Sequence, residues 1–147
     1  MNSFNNFNLD TEILKSLDIL DYKIPSQVQS RVIPVLIDKK DILVKSKTGT
    51  GKSAAFAIPI CNKMKKLENK LKALVIVPTR ELALQVKEEI EKIGRLKMIK
   101  CSVILGKEPL KNQILELKQG TNVIVATPGR MIDHISRGSV DLSDLDY

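Results

Sequence analysis

The stretch Ser46-Lys47-Thr48-Gly49-Thr50-Gly51-Lys52-Ser53 constrains the fold more than any other part of this sequence. It follows the apolar run Ile42-Leu43-Val44 and opens into Ala54-Ala55-Phe56-Ala57-Ile58, so it reads as a strand, a phosphate loop and a helix. Gly49 and Gly51 can take backbone angles closed to residues with a Cβ, which lets successive N–H groups converge on one anion. A helix beginning near Lys52 adds its unpaired N–H groups and its dipole at the same point. Lys52 can then reach the β- and γ-phosphates, the Ser53 hydroxyl can ligate Mg²⁺, and Ser46, Lys47, Thr48 and Thr50 complete the loop. These parts make a nucleoside triphosphate site. The pattern G-x-x-x-x-G-K-[ST] has Gly where this chain has Ser46, another small residue. A chance Gly/Lys turn ahead of a helix is the bland alternative, and the flanking strand and helix weigh against it.

A length of 147 residues suits one domain. Aromatic residues are only 3% of the chain, so aliphatic side chains must build its core. With 24 Lys and Arg against 17 Asp and Glu, the formal charge of +7 favours a polyanionic partner, nucleic acid before membrane. Cys61 and Cys101 stand apart, without the close spacing of a metal site or redox pair, and are expected to be reduced thiols. The first residues lack the basic and apolar regions of a signal peptide, and no apolar run approaches membrane-spanning length. A cytoplasmic protein is the expectation.

Apolar residues Ile13, Leu14, Leu17 and Leu20 recur at helical spacing behind Asp10, the expected N-cap. A second helix starts at Ser26 and carries Val28, Val32, Ile33 and Leu36. Gln29 within it has two readings. Ser26-x-x-Gln29 fits a capping box, whereas the Gln amide also matches the N6/N7 edge of adenine. Further on, the five lysines between Lys63 and Lys72 read as a solvated helix end and loop. Strands are expected at Ala73–Val77, Cys101–Leu105 and Asn122–Ala126 in addition to Ile42–Val44. Leu82, Val86, Ile90 and Ile93 define a helix with a Glu88/Lys92 pair on its exposed side, ending near Gly94. Another helix starts at Thr127-Pro128 and ends near Gly138; His134 within it is expected at the surface. Four strands alternating with helices imply an α/β fold, a parallel sheet with flanking helices and ligands at the carboxyl ends of its strands.

Tyr22-Lys23-Ile24-Pro25-Ser26-Gln27-Val28-Gln29 resembles the Q motif of DEAD-box RNA helicases, in which an aromatic stacks on adenine and the Gln reads its edge; the upstream Phe4 also falls at a matching position. The family has Gly just before that aromatic, where this chain has Asp21. Pro78-Thr79-Arg80-Glu81-Leu82-Ala83 resembles motif Ia, which offers a helix N-terminus and an arginine to RNA phosphates. Thr127-Pro128-Gly129-Arg130 resembles motif Ib, in which the Thr and exposed backbone N–H groups grip RNA phosphates. Gly106-Lys107 stands where most members have Gly-Gly, a departure that looks like the bacterial DbpA-type branch.

The resemblance covers essentially the whole chain. It implies that residues 1–147 are the N-terminal part of RecA-like domain 1 of an ATP-dependent RNA helicase, a P-loop NTPase domain that is incomplete here. ATP and Mg²⁺ would bind between this domain and a second RecA-like domain, with single-stranded RNA crossing both. Lys52 and Ser53 would be the catalytic contributors. The family's Asp-Glu-Ala-Asp and Ser-Ala-Thr strands, absent here, would lie in the sheet near Val44, so these residues alone would bind nucleotide and RNA backbone at most. Two rivals remain. Another P-loop enzyme, such as a small-molecule kinase, has no reason to carry all these motifs together, and a non-catalytic nucleotide- or RNA-binding fragment would use the same surfaces without turnover.

Overall fold

The computed structural model describes residues 3–147. Helices α1 (Thr11–Ile19), α2 (Gln27–Ile37) and α3 (Lys52–Lys63) precede strand β1 (Ala73–Ile76). Helix α4 (Arg80–Ile93), strand β2 (Cys101–Ile104), helix α5 (Leu110–Lys118), strand β3 (Val123–Ala126) and helix α6 (Pro128–Ser136) follow. The sheet is parallel in the order β1-β3-β2, with Ala73 and Cys101 both opposite Val123. β3 is central, and its four residues are buried on both faces, which is why it reads as an unbroken apolar run.

Period-two alternation divides the core into two layers. Val123 and Val125 face Ile58, Ala83, Val86 and Ile90 of α3 and α4, whereas Ile124 and Ala126 pack with Met131 of α6 and Leu117 of α5. Helices therefore cover both faces, as the expected α/β architecture requires. The α4 boundaries agree with the sequence: Thr79 Oγ1 accepts from the Leu82 N–H at 3.2 Å, Gly94 is the C-cap, and Lys92 pairs with Glu88 at 2.6 Å.

Ile42-Leu43-Val44 is a correction, because this expected strand does not form. A strand needs a ladder partner, and none adjoins it among the described residues. A cleft of about 510 Å³ separates Ile42 and Val44 from Val75, Ile76 and Val77, and Leu43 is 98% exposed. The β1 edge facing that cleft is paired at its start by the tail. Tyr147 N–H donates to Lys72 O and Leu74 N–H to Tyr147 O, each at 3.1 Å, the pattern of a parallel bridge.

Asp10 occupies the N-cap position of α1, but its side chain makes no capping bond. Its carboxylate instead pairs with Lys97, whose side chain is only 3% exposed. Lys97 Nζ also donates to the carbonyls of Cys61 at 3.2 Å, Asn62 at 2.8 Å and Met64 at 2.7 Å. The three N–H bonds of one ammonium are thus shared among the Asp10 carboxylate and carbonyls at the end of α3, tying that end to the N-terminal segment. Cys61 and Cys101 are buried free thiols, and burial pushes the Cys61 thiol up to about 12. No helix among the described residues is long and apolar enough to cross a membrane.

Candidate nucleotide and nucleic-acid site

The phosphate loop has the expected backbone. Gly49 and Gly51 take φ values of 79° and 85°, and α3 begins at Lys52 directly after Gly51. Lys52 Nζ reaches back across the loop to Ser46 O at 2.9 Å and Lys47 O at 2.6 Å, and to Ser46 Oγ at 3.2 Å. Thr50 Oγ1 donates to Lys47 O at 2.9 Å, which leaves the Ser46 hydroxyl to donate to Thr50 Oγ1 at 2.8 Å. The Ser46 hydroxyl, which glycine would lack, therefore links the loop lysine to the loop threonine.

The Q-like segment packs against this loop. Ser26 Oγ donates to Thr50 O at 2.8 Å, and Gln29 Nε2 donates to Gly51 O at 3.3 Å. A Cβ at Gly51 would stand 2.5 Å from Gln29 Nε2, so glycine is needed there for the close approach as well as for φ. The capping box is also present: Gln29 Oε1 accepts from Ser26 N–H at 2.9 Å, and Gln29 N–H donates to Ser26 Oγ at 3.2 Å. A primary amide has two donors and two acceptor lone pairs, and these contacts occupy one of each. Capping and base recognition are thus compatible at Gln29.

Tyr22, Gln29, Gly49, Thr50 and Gly51 line one shallow groove of about 450 Å³. Asp21 takes φ 61°, the left-handed conformation that glycine adopts readily and that Asp tolerates better than most residues. Tyr22 OH donates to Glu89 at 2.6 Å, and burial together with that carboxylate raises the phenol to about 12. Phe4 lies behind Tyr22, 4% exposed and stacked on it at 6.4 Å between ring centroids. The Phe4 ring therefore supports Tyr22 from within the core.

The other motif residues lie side by side at the carboxyl ends of the three strands. Pro78, Thr79 and Arg80 follow β1, Thr127, Pro128, Gly129 and Arg130 follow β3, and Gly106 follows β2. Pro78, Thr79, Arg80, Gly106, Pro128 and Gly129 are exposed, and Thr127 is half-buried. Arg130 Nη1 points inward, donating to Glu108 O at 2.8 Å and Gln113 Oε1 at 3.0 Å. It holds the turn after β2 against α6.

His134 is a second correction: the expected surface residue is fully buried. Its Nδ1 lies 2.7 Å from Ser139 Oγ and its Nε2 2.9 Å from Gln113 Oε1, a carbonyl oxygen that requires Nε2–H as the donor. Burial, with Arg130 nearby, holds the imidazole below its usual pKa and favours the neutral ring. Polar partners on α5 and in the turn after α6 allow a histidine here, and one residue's neighbours along the chain do not show them. Glu108 and Gln113 were not singled out in the sequence, where nothing in their spacing marks them.

A family model described as DEAD/DEAH box helicase matches residues 26–147. The chain is 47% identical over its full length to ATP-dependent RNA helicase DbpA of Bacillus subtilis and covers 31% of that protein. It is 42% identical, over 97% of its length, to DEAD-box ATP-dependent RNA helicase CshA of Geobacillus kaustophilus, covering 30% of it. Among solved structures, a DEAD box protein from Methanococcus jannaschii superposes with a TM-score of 0.92 at 36% identity, covering 99% of this chain and 40% of that one. A Saccharomyces cerevisiae Dbp5 variant bound to RNA and ADP BeF3 gives a TM-score of 0.87 at 28% identity, with 99% and 37% covered. The chain therefore spans about a third of the length of these curated relatives.

Proposed function

Because the chain belongs to the DEAD/DEAH box helicase family, we propose that it supplies the ATP-binding half, and part of the RNA-binding surface, of an ATP-dependent RNA helicase. The observation that carries this reading is the bond from Gln29 to Gly51 O, which joins the Q-like segment and the phosphate loop in one groove. Adenine would lie beside Tyr22 and Gln29, with the phosphates at Gly49–Ser53. Lys52 would exchange its loop carbonyls for phosphate oxygens, and the N-terminus of α3 would stabilise their charge.

The residues fit a Mg²⁺–nucleotide: the two loop glycines leave a cradle at the helix N-terminus, and Ser53 offers a hydroxyl in its first turn. No group of three or more His, Cys, Asp or Glu among the described residues could hold a metal by itself. Ser53 and the nucleotide phosphates would hold Mg²⁺, which when bound would neutralise their charge. A second RecA-like domain would close over the nucleotide, and a cytoplasmic location accords with this reading.

RNA would cross the exposed ends of β1, β3 and β2, held through its phosphates by Thr79, Arg80, Thr127 and the N-termini of α4 and α6. Replacing Arg80 by Ala in the full-length protein should weaken binding to all single strands alike. The slope of log K against log salt should fall by about 0.7, the value for one phosphate contact. Loss confined to one RNA sequence would contradict backbone recognition.

For Gln29→Ala, the expected result is loss of the preference for ATP over GTP in competition binding, because the adenine edge loses its donor and acceptor. The Ser26 cap survives, but loss of the Gln29 Oε1 bond to Ser26 N–H also costs about 0.5–1.5 kcal/mol of stability. Lower stability with unchanged base preference would reduce Gln29 to a cap.

A further inference from the structure

Glu108, in the turn after β2, is bonded to arginines in the first turns of both helices assigned above to RNA. Its carboxylate accepts from Arg80 Nη2 at 2.5 Å and from Gln113 Nε2 at 3.4 Å, while its backbone carbonyl accepts from Arg130 Nη1. The side chains of Arg80 and Glu108 are 49% and 31% exposed, so both are open to an arriving ligand. The turn that carries Glu108 is fixed independently of this ion pair. Arg130 holds its backbone, Gln113 Nε2 holds Leu105 O at 2.8 Å, and Lys107 takes φ 64°. A carboxylate and a phosphate offer a guanidinium the same fork of acceptor oxygens. Glu108 therefore occupies Arg80 Nη2, a donor that a phosphate bound through the same fork would need.

We propose that Glu108 sets the RNA affinity of this domain by acting as an internal counter-ion to Arg80, which an incoming backbone phosphate must displace. The inference rests on the assignment of Arg80 to RNA phosphate. Exchange of one anion for another discounts the Arg80 contact. A weak phosphate contact is easily made and broken, as suits a protein that must release its strand.

The test is a double-mutant cycle in the full-length protein: wild type, Glu108→Gln, Arg80→Ala and the double variant, titrated with a fluorescent single-stranded uridine homopolymer at several salt concentrations. Glu108→Gln keeps the side-chain shape while removing the charge. It should tighten binding about two- to fivefold at low salt, the range for an exposed ion pair, with the gain shrinking as salt rises. In the Arg80→Ala background the same change should have no effect. Weaker binding by Glu108→Gln would show that Glu108 positions Arg80 for RNA, and equal tightening in both backgrounds would reduce it to a generic negative charge. Either result overturns the proposal. If Arg80→Ala alone leaves affinity and salt slope unchanged, the assignment of Arg80 to RNA fails first, and the proposal falls with it.

Discussion

Lys52→Ala will abolish measurable ATP binding by the full-length protein. The ammonium is held by two loop carbonyls and the Ser46 hydroxyl, all at the mouth of the Gly49–Gly51 turn, so it is positioned where the phosphates would arrive. Removing it deletes a charge-assisted contact to the triphosphate and leaves the cradle with backbone dipoles alone. Loss of such a contact costs about 2–5 kcal/mol, or roughly thirtyfold to several thousandfold in affinity. The fold should survive, because Lys52 is half-buried at the start of α3 and the core beneath it is built from Ala54, Ala55, Ala57 and Ile58. Titration with a fluorescent ATP analogue, beside circular dichroism, checks both halves. Unchanged affinity with an unchanged spectrum would contradict the site.

Lys97→Ala should have the largest effect on stability. It would leave the carbonyls of Cys61, Asn62 and Met64 without their cation and strip the Asp10 carboxylate of its partner. The half-exposed Asp10 carboxylate can turn to water, so the cost falls on the buried carbonyls, about 1–3 kcal/mol for each left unsatisfied. Lys92→Ala is the contrasting control, since its pair with Glu88 lies on the exposed face of α4. Hydrogen exchange should show lost amide protection around residues 9–14 and 60–66 in the Lys97 variant, with the Lys92 variant like wild type. Equal protection in both variants would refute the capping role.

The sequence makes the local features legible, because their causes are local. Gly49 and Gly51 show their left-handed angles through residue type, Ser26-x-x-Gln29 shows its capping box through spacing, and Val123–Ala126 shows double burial through an unbroken apolar run. What escapes reading depends on partners distant in the chain. Lys97 lies 87 residues from Asp10, and neither looks unusual among its neighbours. His134 reads as a surface residue until Gln113 and Ser139 are brought to it. Ile42-Leu43-Val44 has strand composition, but composition does not supply an adjacent strand.

If one groove binds ATP while the neighbouring strand ends bind RNA, each ligand should promote the action of the other. RNA-stimulated phosphate release by the full-length protein measures that coupling. The account predicts release from ATP that rises with single-stranded RNA, falls when GTP replaces ATP, and disappears in Lys52→Ala. Release that is independent of RNA, or undiminished in Lys52→Ala, would contradict it.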